Sequence, residues 1–186
     1  LMVAAPLMAM AGMDYYFIQG VYPLVKNTKL RIPFKRILKL TRFSRPLWIW
    51  TLYAFTLYIW HIPILYKSAL SNPLIHDFQH LGFFASAYLF WRLTLNPYGE
   101  RLPYAPSVIY LFISMLHAMV LGALMGLSPR VWYDPYIQSS HVLNINPLAD
   151  QQIAGLIMWM PAGSSFILVA IYSVYKLINQ SSILSK

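Results

Sequence analysis

Hydrophobic positions along the chain form long apolar stretches, and polar residues concentrate in the connections between them. Runs of about 20 mostly apolar residues are long enough to cross a lipid bilayer as α-helices. The pattern therefore predicts an all-α, polytopic helical membrane bundle of about five transmembrane spans, forming a single membrane domain over residues 1–186. The predicted spans cover residues 1–24, 47–65, 74–95, 104–127 and 150–178.

The ends of these spans are marked by glycine, proline and charged residues. Gly12 interrupts the first span, so we expect a shorter helix there, with Asp14 at a membrane boundary. Pro46 and Pro73 occupy positions typical of helix starts. The segment KSALSNP before the third span predicts a short turn, and residues 128–149 predict the longest polar loop.

Charge is scarce and unevenly distributed. Charged residues make up 10% of the chain and hydrophobic ones 59%, whereas a soluble domain carries about 25% charged residues. The net charge is +9, and eight of the fourteen basic residues lie between Lys26 and Arg45. A basic loop between apolar spans predicts a cytoplasmic loop at 26–45, either a plain connection or an amphipathic helix on an anionic leaflet. Membrane lipid, and not nucleic acid, is the partner this distribution indicates.

The basic loop fixes an orientation for the other connections. It places Arg92, Arg101 and Lys176 on the cytoplasmic side, and it places the 67–73 turn and the 128–149 loop on the outer side. Three histidines, His61, His76 and His80, lie around that outer turn.

Histidine is uncommon in apolar helices because its ring nitrogens need polar partners. His76 and His80 are spaced i, i+4 and share one helix face, which suits two ligands of one metal ion. His117 and Asp150, on the fourth and fifth spans, approach the same side. The predicted metal ligands are therefore His61, His76, His80, His117 and Asp150.

Copper is the metal that this residue set favours. The chain has no cysteine, which excludes disulfides, thiolate metal sites and cysteine nucleophiles. Imidazole suits copper, zinc and iron, and the thioethers of the nine methionines would favour cuprous copper. A purely structural role for these histidines stays open. A membrane histidine can be a hydrogen-bonded packing residue, and an i, i+4 pair of histidines can arise without a metal. The sequence contains no recognisable enzyme signature, so a non-enzymatic protein is expected.

Three segments carry a family resemblance: W-H-I-P-I-L-Y from Trp60, H-D-F-Q-H from His76, and D-Q-Q-I-A-G-L-I-M-W-M-P from Asp150. Together they resemble the CtaG family of cytochrome c oxidase assembly factors, bacterial membrane proteins associated with making caa3-type oxidases. The resemblance implies a role in copper insertion or oxidase maturation at the bacterial inner (plasma) membrane, with cytochrome c oxidase subunits as partners.

Individual residues of this chain also match positions in the motifs of the family. His61, His76, His80 and Asp150 match family motif positions, and His117 lies where the fourth span carries polar residues in the family. Family members typically have seven spans and an H-M-x-x-H pair shortly before an A-P-L segment. This chain has A-P-L at residues 5–7 and starts four residues earlier. We therefore expect either residues upstream of Leu1, a shortened relative, or one part of a split protein.

Two other functions are compatible with the sequence. One is a resident accessory subunit of a terminal oxidase or respiratory supercomplex, in which the motifs persist without a metal. The other is a b-type haem protein, with His61 and His117 as axial ligands from facing helices.

Overall fold

The computed structural model describes residues 4–13, 15–16, 45–98, 101–135, 137 and 146–184. Most of these residues are helical, as predicted, and the described ranges contain six α-helices of seven residues or more. They are α1 Ala4–Met10, α2 Arg45–Ile59, α3 Pro63–Ser71, α4 Pro73–Leu95, α5 Tyr104–Gly126 and α6 Pro147–Leu184. Asp14, His141 and the basic loop except for Arg45 lie outside these ranges, so the expectations for them stay predictions.

The predicted second span is broken into two helices. α2 and α3 meet at an angle of 74° across residues 60–62. Pro63 at the start of α3 has no backbone N–H to offer the carbonyl of Ile59, and that carbonyl accepts from the backbone N–H of Ile62 at 3.2 Å instead. Ile62 itself is extended, as the residue before a proline tends to be. The turn predicted over 67–73 is reduced to a break at Asn72, because residues 67–71 are helical, and the bend at 60–62 is a second break that the sequence pattern does not predict.

The start of α4 agrees with the prediction that Pro73 begins a helix. Pro73 is in the first turn, and Asn72 before it has an extended conformation. The Asn72 side-chain oxygen accepts hydrogen bonds from the backbone N–H groups of Leu74 at 2.9 Å and Ile75 at 3.4 Å. This cap satisfies two of the N–H groups that a helix start leaves free.

The predicted count of five membrane spans is not confirmed. Within the described ranges, α5 and the Pro147–Gln180 part of α6 are long and apolar enough to cross a membrane, and α2 with α3 adds a third span if the bent pair counts as one. α4 has 23 residues, but His76, Asp77, Gln79 and His80 make its first turns polar. α1 has only seven residues.

A glycine crossing holds α5 and α6 together. Gly122 and Gly126 on α5 face Gly155 on α6. A Cβ atom on Gly155 would lie 2.5 Å from the Gly126 nitrogen and 2.7 Å from the Gly122 oxygen, so two backbones are in direct contact there. Small residues spaced by four are the usual basis of such close approach in membranes.

The buried core is aromatic and lies between α1, α4, α5 and α6. Phe90 of α4 stacks on Tyr110 at 4.9 Å and meets the edge of Phe166 at 5.6 Å. Ala5 and Ala9 of α1 complete the cluster on the side of α4. The core lies along the second half of α4, so the polar first turns of that helix are left at the periphery.

Candidate metal site at the start of α4

The two histidines of α4 are brought together as the i, i+4 spacing predicts. Their Nε2 atoms are 3.2 Å apart, and both side chains are exposed. Two imidazole nitrogens bound to one ion at about 2.0–2.1 Å, with an angle between 90° and 110°, would be roughly 3 Å apart. The observed separation fits a shared ion, and it also fits a hydrogen bond between one protonated and one unprotonated nitrogen.

His61 lies at the break between α2 and α3. Its Nδ1 atom is 2.6 Å from the carbonyl oxygen of Leu57. Because a carbonyl only accepts, Nδ1 carries the hydrogen, and Nε2 is the ring nitrogen with a free lone pair. The ring is half-buried beside Phe83 at 6.0 Å.

His117 lies in an aromatic cluster between α2 and α5. Its ring is 5.3 Å from Trp50, 5.7 Å from Tyr53 and 6.1 Å from Tyr58. The Tyr58 hydroxyl donates to the backbone carbonyl of His117 at 2.7 Å. Nδ1 faces the carbonyl of Ile113 at 3.4 Å, and the buried Nε2 has no hydrogen-bond partner within the described ranges.

Asp150 is exposed in the first turn of α6. A carboxylate there interacts favourably with the positive end of the helix dipole. Its backbone N–H donates to the carbonyl of Asn146 at 3.0 Å. This position gives Asp150 a structural role as a helix-start residue that needs no metal.

Residues 128–135, the segment that follows α5, take part in a polar network that the sequence pattern does not predict. Buried Gln151 accepts from the backbone N–H of Trp132 at 2.7 Å and donates to the carbonyl of Arg130 at 3.1 Å. Gln152 donates to the carbonyl of Ser128 at 3.2 Å. Two adjacent glutamines at the start of an otherwise apolar helix were the only local signal for this network.

The same 128–135 segment also contacts and stabilises the break between α2 and α3. The Tyr133 hydroxyl donates to the carbonyl oxygen of His61 at 3.0 Å, an acceptor that the break leaves without a helical partner. The Tyr133 ring stacks on Tyr66 of α3 at 4.1 Å. Lys67 forms an ion pair with Asp134. The 128–135 segment therefore joins the α2–α3 break to the start of α6.

The five predicted ligands thus separate into a pair and three individual positions. His76 and His80 are in contact, His61 lies at the helix break, His117 lies among aromatic rings, and Asp150 begins α6. In the part of the chain that the structure describes, no group of three or more His, Cys, Asp or Glu residues is placed to hold a metal ion. Copper binding by these residues stays a prediction.

Comparison with known families gives one clear result. A family model described as cytochrome c oxidase caa3 assembly factor (Caa3_CtaG) matches residues 1–180. The comparisons with curated proteins and with solved structures found no match. The matched range includes all six helices up to residue 180.

Proposed function

The chain belongs to the family of caa3 cytochrome c oxidase assembly factors, and from this premise we propose that it carries copper for oxidase maturation on the His76–His80 pair. The family implies a non-catalytic role in the respiratory membrane and interaction with oxidase components. The resemblance found in the sequence is confirmed at this level. Copper carriage, the bacterial inner membrane as its location, and a cytoplasmic basic loop are the further parts of the proposal.

The observation that carries the proposal is the 3.2 Å separation of the two exposed Nε2 atoms. Both rings stand on the first two turns of α4, which the Asn72 cap holds in place. The pair is therefore a preorganised two-nitrogen site at a helix end. With no cysteine in the chain, thiolate ligands are absent, and imidazole is a ligand type that suits copper.

Exposure suits a carrier better than a permanent metal centre. A copper ion held by two nitrogens at the protein surface keeps ligand positions open to solvent or to a recipient subunit. A fully enclosed site would retain its ion instead. His61, His117 and Asp150 are left out of the proposed pair because no group of three potential ligands is formed within the described ranges.

Copper binding to the purified protein is the first test. Anaerobic competition for cuprous ion with a chromophoric chelator should give about one copper per chain, and His76→Ala with His80→Ala should abolish this binding. Phe78→Ala is the matched control, because Phe78 lies between the two histidines and is 70% exposed. Full copper retention in the double variant would contradict the proposal.

A cellular test separates the proposal from the two alternatives. In a strain that lacks the native gene, the double histidine variant should lower the amount of assembled oxidase, and Phe78→Ala should restore it. Stoichiometric co-purification with oxidase subunits in the absence of copper would favour a resident accessory subunit. A Soret band in the reduced-minus-oxidised spectrum of the pure protein would favour a b-type haem protein.

A further inference from the structure

The two histidines of α4 lie on the side of that helix which packs into the core. Further along α4, Ala87 is buried in one cluster with Ala5 and Ala9 of α1. His80 and His76 precede Ala87 by about two and three helical turns. At 3.6 residues per turn, both point within about 20° of the direction of Ala87. The histidine pair and the buried cluster therefore share one face of α4.

The packing on this face ends between Ala87 and His80. α1 packs on α4, and Ala87 is only 7% exposed. About 10 Å nearer the start of α4, the side chains of His76, Asp77 and His80 are all exposed. We call these three residues the uncovered face, because they continue a packed side of the helix but lie open themselves.

The ionisable side chains of the uncovered face make lipid a poor match for it. Asp77 lies about 22 Å from Arg92 along α4 at 1.5 Å per residue. Arg92 marks the cytoplasmic side in the predicted orientation, and the hydrocarbon core is about 30 Å thick. Acyl chains offer no hydrogen-bond partner to a carboxylate or an imidazole, and ionisable side chains at such a depth face protein or water-filled space. The uncovered face therefore favours a protein occupant over lipid.

A helix from an oxidase subunit fits this face better than a second copy of the chain does. A second copy would bring another Asp77 and another histidine pair to the contact, which adds like charge and no complementary group. The family implies interaction with oxidase components, and the oxidase is the recipient of copper in the proposed function. A recipient helix can combine apolar packing of the kind that α1 provides with ligands of its own.

We propose that a transmembrane helix of the oxidase subunit that receives copper docks on the uncovered face, where it continues the packing of α1 on α4. This inference rests on the proposed carriage of copper, and it names the partner of the His76–His80 pair and the surface that the partner uses. Docking there brings the ligands of the recipient within reach of an ion held by the pair. Transfer is then a ligand exchange, in which recipient ligands replace the two imidazoles and the oxidation state of copper does not change.

Photo-cross-linking in membranes of cells that assemble the oxidase tests the docking surface. The photoreactive residue p-benzoylphenylalanine in place of Phe84, one turn after His80 on the adjoining side of α4, should form an adduct that mass spectrometry identifies as an oxidase subunit. The matched control is the same replacement of Phe78, which is 70% exposed and points away from Ala87 by about 180°. No oxidase adduct from position 84, or equal oxidase adducts from both positions, would overturn the proposal. Intermolecular adducts only with lipid or with a second copy of the chain would overturn it too.

A blocking variant separates docking from copper binding. Asp77→Trp places a bulky side chain on the uncovered face and keeps both histidines, so it should abolish the oxidase adduct from position 84 and leave the copper stoichiometry unchanged. Asp77→Asn, which removes only the charge, and Ala85→Trp, at an exposed position about 160° from Ala87, should keep both the adduct and the copper. An undiminished adduct in Asp77→Trp, or its loss in all three variants, would overturn the docking proposal. Absence of copper from the unmodified protein with the adduct intact would instead overturn copper carriage, and circular dichroism verifies that each variant retains its helices.

Discussion

The contact between Gly155 and α5 gives the sharpest prediction about the fold. Gly155→Ala would place a methyl group 2.5 Å from the Gly126 nitrogen and 2.7 Å from the Gly122 oxygen. Both obstacles are backbone atoms, which cannot rotate away as a flexible side chain would. Ordinary contact begins at 3.4 Å, so α5 and α6 must move apart by about 0.9 Å.

The matched control is Gly163→Ala on the same helix, because among the described residues no atom beyond its own helix turn lies within 4 Å of a Cβ at that position. Both substitutions gain about 1 kcal/mol of helix propensity, so this gain cancels in their comparison. The remaining difference is the cost of overpacking, about 1–3 kcal/mol. We expect Gly155→Ala to be less stable than Gly163→Ala by this amount.

Gly122→Ala and Gly126→Ala extend the comparison across the crossing. The nearest atom to a Cβ at Gly122 is the Gly155 oxygen at 3.0 Å, and at Gly126 it is the Gln152 oxygen at 3.6 Å. The free energy of unfolding should therefore decrease in the order Gly163→Ala, Gly126→Ala, Gly122→Ala and Gly155→Ala. Reversible unfolding in mixed micelles, followed by circular dichroism, measures it. Equal stability of Gly155→Ala and Gly163→Ala would refute the claim that backbone contact sets the α5–α6 distance.

Two further predictions concern the 128–135 segment. Gln151 is buried, and Gln151→Leu leaves the half-buried Trp132 N–H without its acceptor, so this substitution should lower the free energy of unfolding by about 1–3 kcal/mol. Gln152→Leu, at a less buried position, should cost less in the same unfolding assay. Tyr133→Phe removes the hydrogen bond to the His61 carbonyl and keeps the ring stack, so it should cost about 1 kcal/mol and increase backbone amide exchange around residues 61–66. Unchanged exchange in this variant would mean that Tyr133 does not hold the break.

The two long apolar helices could be predicted from the sequence because their signal is local. α5 at Tyr104–Gly126 occupies the 104–127 span, and α6 contains the whole 150–178 span. The Asn72 cap and Pro73 likewise mark the start of α4 with residues next to one another in the chain. Composition and capping act within a few residues, so a linear pattern is sufficient for such features.

The helix break could not be placed from polarity alone. The apolar pattern predicts one continuous span over 47–65, but Pro63 interrupts that span by removing one backbone donor. Tyr133, which satisfies the His61 carbonyl, is 72 positions away in the chain. A contact over that distance depends on how the helices pack, and no periodicity in the sequence reports it.

In the candidate site, too, local features could be predicted from the sequence and contacts between distant residues could not. The His76–His80 pair follows from i, i+4 spacing on one helix, so its contact was predictable. The sequence predicts the approach of His117 to this pair only from their shared position on the outer side of the membrane. In the structure, the rings of Trp50, Tyr53 and Tyr58 surround His117 instead. A shared side of the membrane does not determine which neighbouring helix a side chain faces.

The central claim is that the His76–His80 pair holds copper, and X-ray absorption at the copper edge tests it most directly. The protein loaded with one equivalent of cuprous ion should show about two imidazole ligands, with nitrogen at about 2.0 Å as in other imidazole–metal bonds. His76→Ala with His80→Ala should remove this imidazole signal, and Phe78→Ala should retain it. An unchanged imidazole signal in the double variant would contradict the account, because the copper would then be held elsewhere in the chain.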